Sequence, residues 1–60
     1  MTGVEYVLSE LGLTKSGLAR LLNISRQHVS QWEYIPRKYA KTLVDDHGLD
    51  LYFMMYGVSE

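Results

Sequence analysis

The chain has 60 residues and a mass of 6.9 kDa, which allows one small domain and excludes a large enzyme scaffold. It has no cysteine, so disulfides and thiolate metal sites are excluded. Its hydrophobic fraction of 47% and its charged fraction of 22% are those of a globular protein and argue against disorder.

The sequence gives no sign of a targeting or membrane segment. The opening stretch, MTGVEYVLSE, lacks the basic and apolar regions of a signal peptide. The most apolar stretch, residues 49–58, is shorter than the ~20 residues that span a bilayer. We therefore expect a single domain over residues 1–60, located in the cytoplasm and without a membrane partner.

The charges are unevenly distributed along the chain. The formal net charge is −1, but residues 15–41 hold six basic residues and one acid and carry +5, while the remainder carries −6. A local basic field attracts polyanions even when the whole chain is near neutral. A solvated surface of mixed charge is the competing interpretation, and charge alone does not decide between the two.

The first predicted helix covers residues 3–11. Thr2 and Glu5 have the spacing of a capping box at its start, and Gly12 ends it. Its apolar positions recur at i, i+3, i+4 and i+7 and form one stripe: Val4, Val7, Leu8 and Leu11.

The second predicted helix covers residues 15–22, with Thr14 as its N-cap. Three leucines are expected to form its buried edge: Leu18, Leu21 and Leu22. Gly17 lies inside this helix at a cost of roughly 1 kcal/mol relative to alanine, for which a close backbone approach is one explanation. Asn23 follows directly and tolerates the left-handed conformation that a tight turn needs.

The third predicted helix covers residues 26–33, with Ser25 as its N-cap. Only Val29 and Trp32 are apolar in it, and they are three residues apart. We therefore expect both side chains in the core and a polar face on the outside.

The last two predicted helices cover residues 36–46 and 50–56. Pro36 suits the first position of the fourth helix, Gly48 ends it, and Asp50 can cap the fifth. The fourth helix buries a face formed by Ile35, Tyr39, Ala40, Leu43 and Val44. The fifth segment, LDLYFMMY, is apolar nearly all round, so a strand remains an alternative to the helix.

The second and third helices are joined by a turn at Asn23 and Ile24, within the stretch TKSGLARLLNISRQHVSQWE. Ala19 is small where the two helices must approach closely. Apolar residues occur at the spacing that locks such a pair at a steep angle: Leu18, Leu22, Ile24, Val29 and Trp32. These are the requirements of a helix-turn-helix, whose second helix enters the DNA major groove.

This stretch resembles the helix-turn-helix of the Cro/C1 family of phage and bacterial repressors, and the run VSQWEYIP is similar to small Cro-like and antitoxin-type regulators. The resemblance covers residues 4–43 and implies an all-α domain of five short helices, λ-repressor-like, that binds double-stranded DNA. The matching residues are Ala19, Asn23 (where the family usually has glycine), Ile24, Ser25, Val29, Ser30 and Trp32.

Two further positions depart from the family pattern. Lys15 stands where glutamine is common, and a lysine can still reach a phosphate as a point charge. Glu33 matches a glutamate that often pairs with an arginine in the first helix, which here has no basic residue. We therefore expect Glu33 to be solvated or to pair with Arg37.

The side chains of the third helix suit base recognition. Arg26 can donate two hydrogen bonds to guanine O6 and N7, and Gln27 and Gln31 can each pair with an adenine edge. The resemblance implies the same three positions as base readers. Phosphate contacts are expected from Lys15, Ser25, His28, Ser30, Arg37 and Lys38.

Metal and enzyme sites are disfavoured. The side chains of Asp45, Asp46 and His47 point in directions about 100° apart on a helix, so they do not converge on a metal ion. His28 has no cysteine or nearby histidine as a co-ligand, so we expect no metal and no cofactor. The sequence has no G-x-S-x-G motif, phosphate-binding glycine loop or cysteine nucleophile, so we expect no enzymatic activity.

These observations predict a Cro-like, sequence-specific repressor that binds a double-stranded DNA operator as a homodimer, with reading helices ~34 Å apart and no small-molecule ligand. Residues 49–60 are the predicted dimerisation segment. Its interface residues are Leu51, Tyr52, Phe53, Met54, Met55 and Tyr56. The alternative is an antitoxin-like or adaptor domain that binds another protein through the same apolar segment.

Overall fold

The computed structural model describes residues 1–59, in which five helices are joined by short connections. The helices are α1 (Gly3–Leu11), α2 (Lys15–Leu22), α3 (Arg26–Ser30), α4 (Arg37–His47) and α5 (Leu51–Tyr56). This part of the chain contains no strand, which confirms the all-α prediction and identifies the C-terminal segment as a helix. None of the helices in residues 1–59 has the length and hydropathy of a membrane span.

Side-chain caps fix the starts of α1, α2 and α5. Thr2 Oγ1 accepts the Glu5 N–H at 3.2 Å while Glu5 Oε1 accepts the Thr2 N–H at 2.8 Å, which is the predicted capping box. Thr14 Oγ1 accepts a first-turn N–H of α2 at 3.1 Å. Asp50 Oδ1 accepts two first-turn N–H groups of α5, at 2.9 and 3.3 Å, so the cap favours a helix over a strand there.

The ends of the helices follow the sequence closely. Gly12 and Gly48 terminate α1 and α4 in the left-handed conformation, with φ of 65° and 67°. Both ends of α4 differ by one residue from the prediction of 36–46, because Pro36 is its N-cap and the helix continues to His47. The fifth helix starts one residue later than predicted, because Asp50 is its N-cap. The Pro36 carbonyl accepts hydrogen bonds from the Tyr39 and Ala40 N–H groups, at 3.0 and 2.9 Å.

All five helices of residues 1–59 contribute to the core. The largest fully buried side chains are Leu18, Leu43, Met54, Val7 and Val29. Leu21 was expected on the buried edge of α2, but it is 44% exposed and lies beside Leu13 and Arg20 in a shallow surface groove. Only Leu18 and Leu22 of the three leucines face the core, because they are four residues apart and share one side of the helix.

The helix α5 is attached to α1 by close backbone packing. The Met54 carbonyl accepts the Ile35 N–H at 3.0 Å, and a Cβ placed on Gly3 would overlap that carbonyl. The Tyr6 ring meets the Phe53 ring edge-on at 5.3 Å, and Tyr6 Oη accepts the N–H of the α5 cap residue at 3.0 Å. The inner side of α5 therefore belongs to the core of the same chain.

Candidate nucleic-acid interface

A tight turn joins α2 to α3 into a helix-turn-helix-like unit. Asn23 adopts the left-handed conformation with φ 59° and ψ 44°, as its position after α2 predicted. The Ile24 N–H donates to the Ala19 carbonyl at 2.9 Å, which closes the turn. Ala19 is 3% exposed, in agreement with the need for a small side chain where the helices meet.

The outer face of α3 carries the three predicted base readers. Val29 is fully buried and fixes the inner side of the helix, whereas Arg26, Gln27 and Gln31 are exposed. Gln27 and Gln31 are four residues apart, so they share one face about one turn from each other. A guanidinium and two amides are therefore exposed on α3 and at its C-cap, and base-edge recognition requires such exposed groups.

The third helix is shorter than the prediction of residues 26–33, because it ends at Ser30. The N–H groups of Gln31 and Trp32 bond to carbonyls three residues back, at 3.2 and 3.1 Å, so the chain tightens into a 3₁₀-type turn. This turn places the Trp32 ring 5.3 Å from the Tyr39 ring, half-buried at the edge of the core. Gln31 keeps right-handed helical angles, with φ −84° and ψ −10°, and so still follows the course of α3.

Ser25 occupies the N-cap position of α3, but its side chain does not cap the helix as predicted. Its Oγ lies 2.8 Å from His28 Nδ1, so the hydroxyl is hydrogen-bonded to the imidazole and not to a backbone N–H. Both residues are exposed beside the reading face. The pair therefore holds the His28 ring in one orientation where a phosphate contact was predicted.

Lys15 and Ser30, two predicted phosphate contacts, line one shallow groove of about 380 Å³. Glu5 and Glu33 line the same groove, so the cation has carboxylates near it. The pKa of Glu5 lies below its ordinary value of 4.5, first because its carboxylate accepts the Thr2 N–H and to a smaller extent because of Lys15. Glu33 is exposed, as expected, and its backbone carbonyl accepts the Val4 N–H at 3.1 Å.

The other predicted phosphate cations lie together at the start of α4. Arg37 and Lys38 are exposed and line a second groove with Lys41, which the sequence interpretation left unassigned. Lys41 follows Lys38 by three residues and Arg37 by four, and this spacing in the sequence indicates that the three cations are neighbours on the surface of one helix. The Lys38 ammonium lies 4.9 Å from the centre of the Tyr39 ring, which holds it near the segment that follows α3.

The predicted dimerisation segment is divided between core and surface. Met54 is fully buried and Phe53 is half-buried, so Met54 is removed from the set of interface residues. Tyr52 and Tyr56 are each 64% exposed, with ring centres 4.9 Å apart, and Leu51 is 41% exposed. Met55 is half-buried. The exposed apolar surface of α5 is therefore one side of the helix. Residue 60, the last residue of the predicted dimerisation segment 49–60, lies outside the described part of the chain.

Comparison with family models, with curated proteins and with solved structures finds no match to this chain. In residues 1–59 no group of three or more histidine, cysteine, aspartate or glutamate side chains is placed to hold a metal ion. The candidate interface is therefore argued from the positions and chemistry of the side chains themselves.

Proposed function

We propose that this chain is a Cro-like, sequence-specific repressor that binds double-stranded DNA and reads operator half-sites as a homodimer. The observation that supports the proposal most is the polar outer face of α3, where Arg26, Gln27 and Gln31 are exposed above the buried Val29. The major groove, about 12 Å wide, admits a helix with such side chains. The guanidinium then pairs with guanine, and each amide pairs with an adenine.

Phosphate contacts supply most of the affinity in this proposal. Lys15, Arg37 and Lys38 are exposed on helices that flank α3, so each can reach the DNA backbone beside the groove that α3 reads. Binding is then expected to weaken steeply as salt rises, because each neutralised phosphate releases counterions. Repression follows from occlusion of a promoter, which places the protein on DNA in the cytoplasm of a bacterial host.

Selection from a random duplex library tests the proposal, since it reveals the operator, its symmetry and its half-site spacing together. Arg26→Ala is expected to cost about 1–3 kcal/mol and to relax the preference at one base pair. Arg20→Ala removes the same exposed group from α2, away from the reading face, and is the matched control with an unchanged preference. An unchanged preference in Arg26→Ala would show that α3 does not read bases.

A second candidate is an antitoxin-like or adaptor domain that binds a protein through α5. The exposure of Tyr52 and Tyr56 favours it, because large apolar side chains on one helix face commonly mark a contact surface. Gel filtration and duplex titration separate the two candidates. A monomer that binds duplex DNA no better than a neutral control protein favours the adaptor, and a dimer with DNA affinity favours the repressor.

A further inference from the structure

A groove of about 580 Å³ lies between α4 and α5, with an aliphatic floor and a cationic rim. Val44 and Leu51 form the floor, and Arg37, Lys38 and Lys41 form the rim. We call it the α4–α5 groove. Within residues 1–59 its lining carries three positive charges and no negative one, so the surface that fills it should present an apolar centre and an acidic edge.

The same helix carries such an acidic edge one turn further on. Lys38, Lys41 and Asp45 are spaced by three and four residues, so they lie on one face of α4 in the order plus, plus, minus. Asp45 and Asp46 are both exposed. An antiparallel copy of this face would set its acidic half against the cationic half of the first, whereas a parallel copy would oppose like charges.

We propose that a second copy of this chain occupies the α4–α5 groove across a two-fold axis, so that Lys41 of each subunit meets Asp45 of the partner subunit. The proposal rests on the homodimer of the proposed function and names its contact surface. A two-fold contact uses the same patch on both copies, so one complementary pair generates its symmetric equivalent. Val44 and Leu51 of both copies are then buried at the centre.

The exposed apolar surface next to the groove supports a second copy as the occupant. Leu51 is 41% exposed, and it is continuous along α5 with Tyr52, which is 64% exposed. Covering this side of α5 together with the α4–α5 groove would bury the apolar groups that the monomer leaves in water. Arg37 and Lys38 line the end of the groove that is farthest from Asp45, so in the proposed contact they lie at its edge and can still reach a phosphate.

Charge reversal at this pair gives a sharp test by sedimentation equilibrium. Lys41→Glu and Asp45→Lys are each expected to raise the dimer dissociation constant about tenfold, because by symmetry each change turns two attractions into repulsions. An equimolar mixture of the two variants restores both attractions in the heterodimer, so its dissociation constant should return to within about threefold of the original. The chain that carries both changes should behave likewise.

Matched controls separate this contact from a general effect of charge. Arg20→Glu and Glu10→Lys make the same charge changes at exposed positions on α2 and α1, and neither should alter dimerisation. Circular dichroism verifies that each variant is folded. Single variants that do not weaken the dimer, or a mixture that does not recover, would overturn the proposal.

Two further outcomes separate this proposal from the function on which it rests. A chain that stays monomeric at millimolar concentration overturns the proposed contact. NMR signals of Val44 that do not change with protein concentration but shift on addition of duplex DNA would also overturn it, since they would show that the groove binds the DNA backbone. A dimer with the expected charge dependence but without affinity for duplex DNA would remove the repressor function and leave the contact standing.

Discussion

Gly3→Ala adds one methyl group where α1 meets α5. Its Cβ would overlap the Met54 carbonyl oxygen and stand 2.7 Å from the carbonyl carbon. Non-bonded carbon atoms rest at about 3.5–4.0 Å, so the two backbones must separate by roughly 1 Å. The same carbonyl accepts the N–H of the buried Ile35 at 3.0 Å, so this movement also strains that hydrogen bond.

The expected cost has two parts. Overpacking costs about 1–3 kcal/mol and a buried N–H left without its partner costs about 1–3 kcal/mol, so the free energy of unfolding should fall by about 2–6 kcal/mol. A chain of this length is expected to have about 3–9 kcal/mol in total. At roughly 4–8 °C per kcal/mol, Gly3→Ala lowers the melting temperature by at least about 8 °C.

Gly17→Ala is the matched control, because it makes the same change inside α2. Its Cβ would lie 3.3 Å from a side-chain methyl of Leu13, which can rotate away. The gain in helix propensity, up to about 1 kcal/mol, then leaves this variant as stable as the original chain or slightly more stable. Urea and thermal unfolding followed by circular dichroism measure both. A Gly3→Ala stability within about 0.5 kcal/mol of the original would refute the packing argument.

Three further predictions test the caps and the cations. The pKa of Glu5 is lowered in the folded state, so the ionised carboxylate stabilises the fold fully above the unfolded pKa of 4.5 and this effect is lost as pH falls through the lower, folded pKa. Glu5→Gln should therefore reduce the fall in melting temperature that the original chain shows at acid pH. Thr14→Ala should lower the unfolding free energy by about 1 kcal/mol, because the Thr14 hydroxyl caps α2. Ser25→Ala should lower it by less than about 0.5 kcal/mol, because the Ser25 hydroxyl is bonded to His28 and does not cap α3. Equal losses for the two variants in urea unfolding would contradict the Ser25 and His28 pairing. Lys38→Ala should weaken all duplexes alike and reduce the slope of log affinity against log salt by about 0.9 per subunit, or about 1.8 for the homodimer, and an unchanged slope would exclude a phosphate contact.

The starts and ends of most helices could be predicted from the sequence because caps are local. Thr2, Thr14 and Asp50 each satisfy backbone N–H groups within three residues of themselves. Asn23 and Gly48, at the ends of α2 and α4, take the left-handed angles that asparagine and glycine tolerate. Such interactions depend on neighbours along the chain and not on the fold. The helix-turn-helix-like unit could be predicted for the same reason, because its turn is formed by interactions between residues close together in the sequence.

The features that the sequence left unresolved depend on contacts between distant residues. The third helix stops at Ser30 because the chain turns to pack Trp32 on Tyr39 and to present the Glu33 carbonyl to α1. Met54 could not be placed in the core beforehand, because a helix that is apolar all round has no periodic signal to mark its inner side. The assignments of Arg26 and its neighbours to bases stay predictions.

The linker after α3 ties the candidate reading face to α5. The Glu33 carbonyl accepts the Val4 N–H at 3.1 Å and the Ile35 N–H donates to Met54, so this segment is fixed to α1 and α5 within a few residues of Gln31. The proposed reading face is thus connected to α1 and α5 through backbone hydrogen bonds, and we expect a contact at the α4–α5 groove to set the distance between the two copies of α3.

That distance is constrained by the size of the domain. Its Cα extents are 28 × 22 × 20 Å, so two domains in contact have centres about one domain width apart, which is less than the ~34 Å between successive major-groove faces. The proposed dimer therefore spans one helical turn only if each α3 lies on the side of its domain that faces away from the two-fold axis. Half-sites selected at a centre-to-centre spacing clearly shorter than one helical turn would be incompatible with a dimer built on the α4–α5 groove.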